Sequence, residues 1–230
     1  MNHPFGKVII VSLGGSIVCP DGVDVPFLKK FKKLVEAQIK KGTKFVLIIG
    51  GGRISRDYQN AAGAVSSVVD EDKDWIGIHA TRLNAHLLRT IFRNMCDPTI
   101  IDSREKVKKL KYPITIGAGW RPGWSTDFVT VATAADLKIK EVIFAGKPEY
   151  VYNKDNQKFK DAMPFEKMSW PEYKKLIPAK WSPGFHSPVD PVAARLAEKA
   201  KITGIVIGGR DLKNFSNLIT GKNFKGTTIS

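Results

Sequence analysis

The sequence predicts an open, mainly parallel α/β sheet with helices on both faces. Three observations carry this. Five short runs end in glycine: VSLGG, LIIGGG, ITIGAG, VIFAG and IVIGG. Segments with helical spacing separate them, and such alternation argues a sheet covered on both sides. The runs are also apolar throughout or nearly so, as strands buried on both faces must be. In open α/β sheets ligands lie outside the carboxyl ends of the strands. The glycines fall on that edge.

The first strand is expected over 7–13 (KVIIVSL), ending at Gly14-Gly15-Ser16. A helix follows over about 25–41, with Asp24 as cap, Pro26 in the first turn and Gly42 at the exit. Its apolar face is Phe27, Leu28, Phe31, Leu34, Val35 and Ile39. The second strand, 45–49, runs into Gly50-Gly51-Gly52 and a polar segment with helical spacing. The longest helix is read over 74–94, with Asp74 at its N-cap. Its core stripe is Ile76, Ala80, Leu83, Leu87, Ile91 and Met95; Trp75, Leu88 and Phe92 form a second apolar face that suits a subunit contact.

A strand over 113–116 leads through Gly117-Ala118-Gly119 into WRPGWSTDF, which opens a small-residue helix through Val129, Ala132 and Ala135. The strand over 141–145 ends at Gly146, and 147–162 reads as irregular. Ser169 and Glu172 form a capping box around Pro171, and 178–188 reads as a loop. Asp190-Pro191 opens a helix with Ala193, Leu196, Ala197 and Ala200 inward. A strand over 203–207, a short helix over 211–219 and a short strand over 226–229 complete the chain, which shows no repeat or linker.

Composition narrows the partners. The 230 residues carry a formal charge of +15, from 37 basic and 22 acidic side chains, which favours anionic ligands. Nucleic acid comes first to mind and nucleotides second, but the basic residues are spread in short runs rather than gathered in a tail, so charge alone does not decide the partner. No apolar run approaches the ~20 residues of a membrane span. The N-terminal residues do not read as a secretory signal, and the two distant cysteines do not make a disulfide scaffold. A cytoplasmic location is expected. No P-loop, dinucleotide fingerprint, nucleophile elbow, C-x-x-C or H-E-x-x-H occurs, and the four histidines lack ligand spacing, so no residue is assigned to a metal. After a buried strand, Gly50–Gly52 remove three Cβ atoms where a helix begins. Backbone N–H groups can then converge on an anion, with Arg53 and Arg56 close by.

With these motifs in line, the chain resembles the amino-acid-kinase superfamily and, within it, the archaeal type of uridylate (UMP) kinase. The matching stretches are LGGS, IIGGGRISRDY, DWIGIHATRLNA, RPGWSTD, VYNKD, SPVDPVAARLA and GTTI, in register almost end to end. The resemblance implies a three-layer αβα sandwich in one domain over 1–230, its N-terminal part serving the acceptor and its C-terminal part mostly ATP. It also implies ATP and UMP as substrates, Mg²⁺ and a homo-oligomer, commonly a hexamer. By the same match Gly14, Gly15, Gly52, Arg56, Tyr152 and Asp155 would lie toward ATP. Gly51 would face the UMP phosphate and Asp74 the ribose, while Trp120, Arg121, Pro122, Gly123, Trp124, Ser125 and Thr126 would wrap the acceptor nucleotide. Arg56, Asp127, Asp190 and Arg195 would serve the reacting centre. Asp74, Asp127 and Asp190 are each equally readable as plain helix caps. Trp120 and Trp124 are readable either as a platform for a flat base or as packing anchors.

Two departures stand out. Many superfamily members carry a lysine near the end of the first strand, where this chain reads Val11-Ser12-Leu13. The segment that usually reads close to TNVDGVY is AGKPEYVY, one residue longer, and Lys147 there is a candidate for ATP phosphates. Two rival functions remain in view: another small-molecule kinase of the superfamily, such as one acting on isopentenyl phosphate, and a non-catalytic basic binder of nucleotides or nucleic acid. The second predicts steep salt dependence, whereas a kinase predicts saturable turnover.

Overall fold

The computed structural model describes residues 1, 3–107, 109–180 and 187–230. The loop read over 178–188 falls partly outside the described residues, as do Lys108 and His186. The fold is a mainly parallel sheet between two helical layers. The strands are β1 (Val8–Leu13), β2 (Lys44–Ile49), β3 (Ile114–Gly117), β4 (Glu141–Gly146), β7 (Lys167–Met168), β8 (Thr203–Gly208) and β9 (Thr227–Ile229). A separate two-stranded ribbon pairs β5 (Val151–Tyr152) with β6 (Pro164–Phe165). In the large sheet the order is β3-β2-β1-β4-β8-β9-β7, and only the β8–β9 pair is antiparallel. The segment read as irregular thus contains β5, and β7 was not foreseen. Two-residue strands carry too little periodicity to be legible.

The alternation of side chains explains the three layers. Ile9, Val11, Leu13, Phe45, Leu47 and Ile49 point into one core, and Ile10, Val46 and Ile48 into the other. The first core is closed by α2 (Val25–Ile39), α4 (Asp70–Ile91) and α8 (Leu212–Ile219), the second by α5 (Thr126–Asp136), α6 (Trp170–Lys175) and α7 (Pro191–Ala200). The helix α3 (Gly52–Val65) buries only Gly52 and packs on α4. A short helix, α1 (Gly15–Val18), follows β1 directly where the sequence indicates only a strand end.

Capping follows the chemistry of the side chains. Asp24 Oδ1 accepts from the Phe27 amide at 2.9 Å, and Gly42 takes φ +89° beyond the exit of α2. The Ser169–Glu172 capping box is complete. The long helix needs two corrections. It begins at Asp70, not Asp74; Val69 is its N-cap, and Asp70, Glu71 and Asp72 place three carboxylates in the first turn, where the helix dipole favours them. Its buried face is Ile78, Ala80, Thr81, Asn84, Ala85 and Leu88; Leu87, Ile91 and Met95 of the expected stripe also pack on the core, while Leu83 is exposed. Leu88 and Phe92, expected on a second face, are core residues.

Candidate active site

β2 and β3 lie on one side of β1, and β4 and β8 on the other. The strand order therefore reverses between β1 and β4. At such a switch point the connections leave in opposite directions and open a crevice beyond the strand ends. A cavity of about 1040 Å³ lies there, at the upper end of what one small ligand occupies. Gly14 and Gly15 after β1, and Gly50, Gly51 and Gly52 after β2, line it together.

The two turns pack main chain against main chain. A Cβ on Gly15 would lie 2.0 Å from the Gly52 nitrogen, and one on Gly50 would lie 2.5 Å from the Gly15 nitrogen. Gly52 has φ +71°, so it also needs glycine's conformational freedom. Arg56, one turn into α3, lines the cavity and forms no ion pair among the described residues. Arg53 is held instead by Asp57 and Asp21, at 2.8 and 2.9 Å.

The opposite wall carries a chain of hydroxyls and carboxylates. Ser12 shares the face of Ile10, so it points toward α5, and its Oγ donates to Asp127 Oδ1 at 2.8 Å. Ser125, not Asp127, is the N-cap of α5: its Oγ accepts from the Phe128 amide at 3.0 Å and donates to Asp190 Oδ2. Asp190 Oδ1 accepts from the Val192 and Ala193 amides at 2.7 and 3.1 Å, so this residue does cap α7 while also facing the cavity. Tyr173 fixes the preceding residue, donating to the Val189 carbonyl at 2.6 Å and accepting from the Val189 amide at 2.7 Å. Burial, and next the nearby Asp190 carboxylate, push the Asp127 carboxyl up to about 7; hydrogen bonds from Ser12 and the Asp190 backbone act the other way.

A third wall is the loop between β3 and α5. Asp74 lies in the second turn of α4 and accepts from the Gly123 amide at 2.8 Å. Burial raises its pKa and the Gly123 bond lowers it. Thr81 Oγ1 accepts from the Gly119 amide at 2.8 Å. Trp124 lines the cavity, with the Arg121 guanidinium 3.7 Å from its ring centroid and Phe128 packed at 4.6 Å.

Of the residues proposed from sequence, Gly14, Gly15, Gly51, Gly52, Arg56, Asp74, Trp124, Ser125, Thr126, Asp127, Lys147, Tyr152, Asp155 and Asp190 line this one cavity. Arg121, Pro122 and Gly123 form the outer turn of the loop. Trp120 is only 5% exposed, and its Nε1 donates to the Ile101 carbonyl at 3.3 Å. It is a packing anchor rather than a platform for a base. Arg195 Nη1 donates to the Ala179 carbonyl at 2.8 Å, so its charge is directed at that loop. Sequence reasoning missed Ser12, Thr81 and Asn84. Ser12 had one legible sign, a hydroxyl in an otherwise apolar strand just before the glycines; the other two sat unmarked among apolar residues.

Paired glycine turns at the switch point of an α/β sheet define a class of proteins that handle phosphorylated ligands. The chain belongs to the amino acid kinase family, whose model matches residues 7–208. It is 30% identical over 225 residues to a uridylate kinase of Thermococcus sibiricus, covering 96% of this chain and 98% of that protein. It is 32% identical over 227 residues to a uridylate kinase of Methanosarcina barkeri, covering 97% and 96%. Among solved structures it is similar to the uridylate kinase from Archaeoglobus fulgidus, with a TM-score of 0.83 at 26% identity, covering 98% of this chain and all of the other.

Proposed function

We propose that this protein is an ATP-dependent nucleoside monophosphate kinase that transfers the γ-phosphoryl group of ATP to UMP, giving UDP and ADP, in pyrimidine nucleotide biosynthesis. The observation that carries this is the meeting of two glycine turns on one cavity. Each can present backbone N–H groups to one polyanion, and Arg56 stands beside both. Phosphoryl transfer asks mainly that two polyanions be aligned and their charge neutralised. The acceptor phosphate is already an anion, so no general base is required. In this reading the single domain uses its N-terminal part for UMP and its C-terminal part mostly for ATP, with Lys147, Tyr152 and Asp155 on the ATP side. Asp74 and the loop to Thr126 face UMP.

Among the described residues no three His, Cys, Asp or Glu side chains are grouped to hold a metal by themselves. Mg²⁺ that arrives on ATP needs only one or two carboxylates beside the phosphate oxygens. Asp127 and Asp190 fit it: a divalent cation would offset the burial, and next the Asp190 repulsion, that raise the Asp127 pKa. Bound there, Mg²⁺ would supply neutralisation of phosphate charge. No described helix is long and apolar enough to cross a membrane. A cytoplasmic location with nucleotides rather than nucleic acid as partners completes the reading.

ADP formation should be measured from ATP and Mg²⁺ across nucleoside monophosphates and isopentenyl phosphate. UMP is expected to be the preferred acceptor; no turnover, or faster turnover of isopentenyl phosphate, would overturn the proposal. Arg56→Ala should lower kcat about 100-fold, as expected for a cation facing transferred charge. Asp74→Ala loosens the acceptor loop and should mainly raise KM for UMP, by about ten-fold, the signature of a uniform-binding contact. Steady-state kinetics separates the two, and equal small effects would contradict the assignment.

In this reading Trp124, which lines the cavity, stacks on the uracil ring, a contact typically contributing about 1–3 kcal/mol by analogy with single-stranded nucleic-acid sites. UMP should quench tryptophan fluorescence in the wild type and in Trp120→Phe, but not in Trp124→Phe. A quench that survives loss of Trp124 assigns it elsewhere. A homo-oligomer, a hexamer by resemblance, is also inferred: Val65, Val69, Trp75 and Leu83 leave apolar surface along α3 and α4. Light scattering that finds only monomer at micromolar concentration would refute it.

A further inference from the structure

Asn84 is a polar residue on the buried face of α4, 3% exposed, among Ile78, Ala85 and Leu88. A leucine would fill such a position, so its amide calls for a reason. Its Nδ2 donates to the Gly50 carbonyl at 2.9 Å and to the Gly51 carbonyl at 3.0 Å. Both partners are acceptors, which fixes the orientation of the amide. Asn84 itself does not line the cavity, whereas Gly50, Gly51 and Gly52 do.

The consequence follows from peptide geometry. In a trans peptide the C=O and the following N–H point in opposite directions, and no cis peptide occurs among the described residues. Drawing the Gly50 carbonyl toward Asn84 turns the Gly51 N–H away from it. Drawing in the Gly51 carbonyl does the same for the Gly52 N–H. Neither N–H has an acceptor among the described residues, unlike that of Gly50, which donates to Leu13, or that of Arg53, which donates to Cys19. Gly51 is right-handed, with φ −74° and ψ −30°, and Gly52 is left-handed at φ +71°. Successive residues of those two hands form a concave anion-binding nest.

We propose that Asn84 is a positioning residue for phosphoryl transfer, holding from behind the two peptide groups whose N–H donors grip phosphate in the cavity. The inference rests on the kinase reading above, but it concerns a residue that touches no substrate in that reading. Its two bonds replace what water would otherwise do for the carbonyls, and they keep the nest formed before the ligand arrives. Preformed donors of this kind lower a barrier because they need no reorganisation during reaction.

The test uses Asn84→Leu, which conserves volume and removes the donor, and Asn84→Ser, which keeps one donor. Thermal unfolding, kinetics with ATP and UMP, and calorimetric titration with pyrophosphate are measured on each full-length variant. The expected result for Asn84→Leu is a kcat lowered about 30-fold or more per folded molecule, KM for UMP changed less than about three-fold, and pyrophosphate affinity lowered about ten-fold. Should Asn84→Leu not fold, Asn84→Ser carries the test with about a ten-fold loss of kcat. A merely structural role predicts lowered thermal stability with kcat per folded molecule and pyrophosphate affinity unchanged, and that result in either variant overturns the assignment. If the wild type binds pyrophosphate but does not turn over UMP, the kinase reading fails. The Asn84 assignment then stands or falls on the pyrophosphate titrations alone.

Discussion

Gly15→Ala should cost this protein about 3 kcal/mol or more and, with it, nearly all turnover. The new Cβ would sit 2.0 Å from the Gly52 nitrogen and 2.6 Å from the Gly50 carbonyl carbon and oxygen. All three are main-chain atoms, held by β2 on one side and α3 on the other, so no side chain can swing away. Relief requires the two turns to move apart, which opens the cavity floor and loses the packing behind it. Urea unfolding measures the loss of stability, and ADP formation the loss of activity. Gly63→Ala is the matched control. It lies within α3, and a Cβ there meets nothing within 4 Å. It should stabilise by about 0.5–1 kcal/mol, since glycine disfavours a helix interior. Unfolding midpoints that shift equally in both variants would mean that the crowding is relieved in some other way.

Asp127→Asn should lower kcat about 100-fold or more and at the same time make the protein more stable at pH 8. The activity loss follows from the proposed function, in which this carboxylate serves the reacting centre. The stability gain follows from proton linkage. The folded-state pKa of about 7 lies above the ~3.9 of an ordinary aspartate, so between those values the folded chain holds a proton that the unfolded chain has lost. This group's contribution is fully present below pH 4 and is lost as pH rises through 7, by up to about 4 kcal/mol. Asparagine cannot ionise, so the variant should lose that slope. Urea unfolding at pH 5 and pH 8 decides it: the wild type should weaken between them by more than the variant does. Equal slopes would place the raised pKa elsewhere.

Both predictions concern residues that stand out in the sequence. Glycine after an apolar run, and Ser-Thr-Asp opening a helix, are local patterns with local physical causes. The sheet, its buried strands and most helix caps were legible for the same reason. The long helix is misread in part because its inward face mixes apolar residues with two that are set by hydrogen bonds. Thr81 and Asn84 point inward to hold loop main chain, and an apolar count takes such positions for the outside. The same error promoted Leu83 to the core and Leu88 to the surface. Asp74 looked like a helix start because it is an aspartate at an apolar boundary, while three acidic residues upstream already supplied that start. Trp120 and Trp124 are equivalent in sequence, four residues apart. Only the path of the loop sends one to the carbonyl of Ile101 and the other to the cavity. Ser12 became intelligible once parity along β1 turned it toward Asp127.

That parity has a consequence for how such a chain can change its length. Neighbouring positions of β1 serve different halves of the interior: Val11 and Leu13 one core, Ile10 the other, with Ser12 beside it. Inserting or deleting one residue inside β1 would exchange every side chain across the sheet and leave an apolar group facing Asp127. Length variation is therefore confined to places where a strand has already ended. The additional residue that the resemblance assigns to AGKPEYVY would fall in such a place, between Gly146, the last residue of β4, and Val151, the first of β5. A gain of one residue there redraws the rim of the cavity and leaves the register of the sheet untouched.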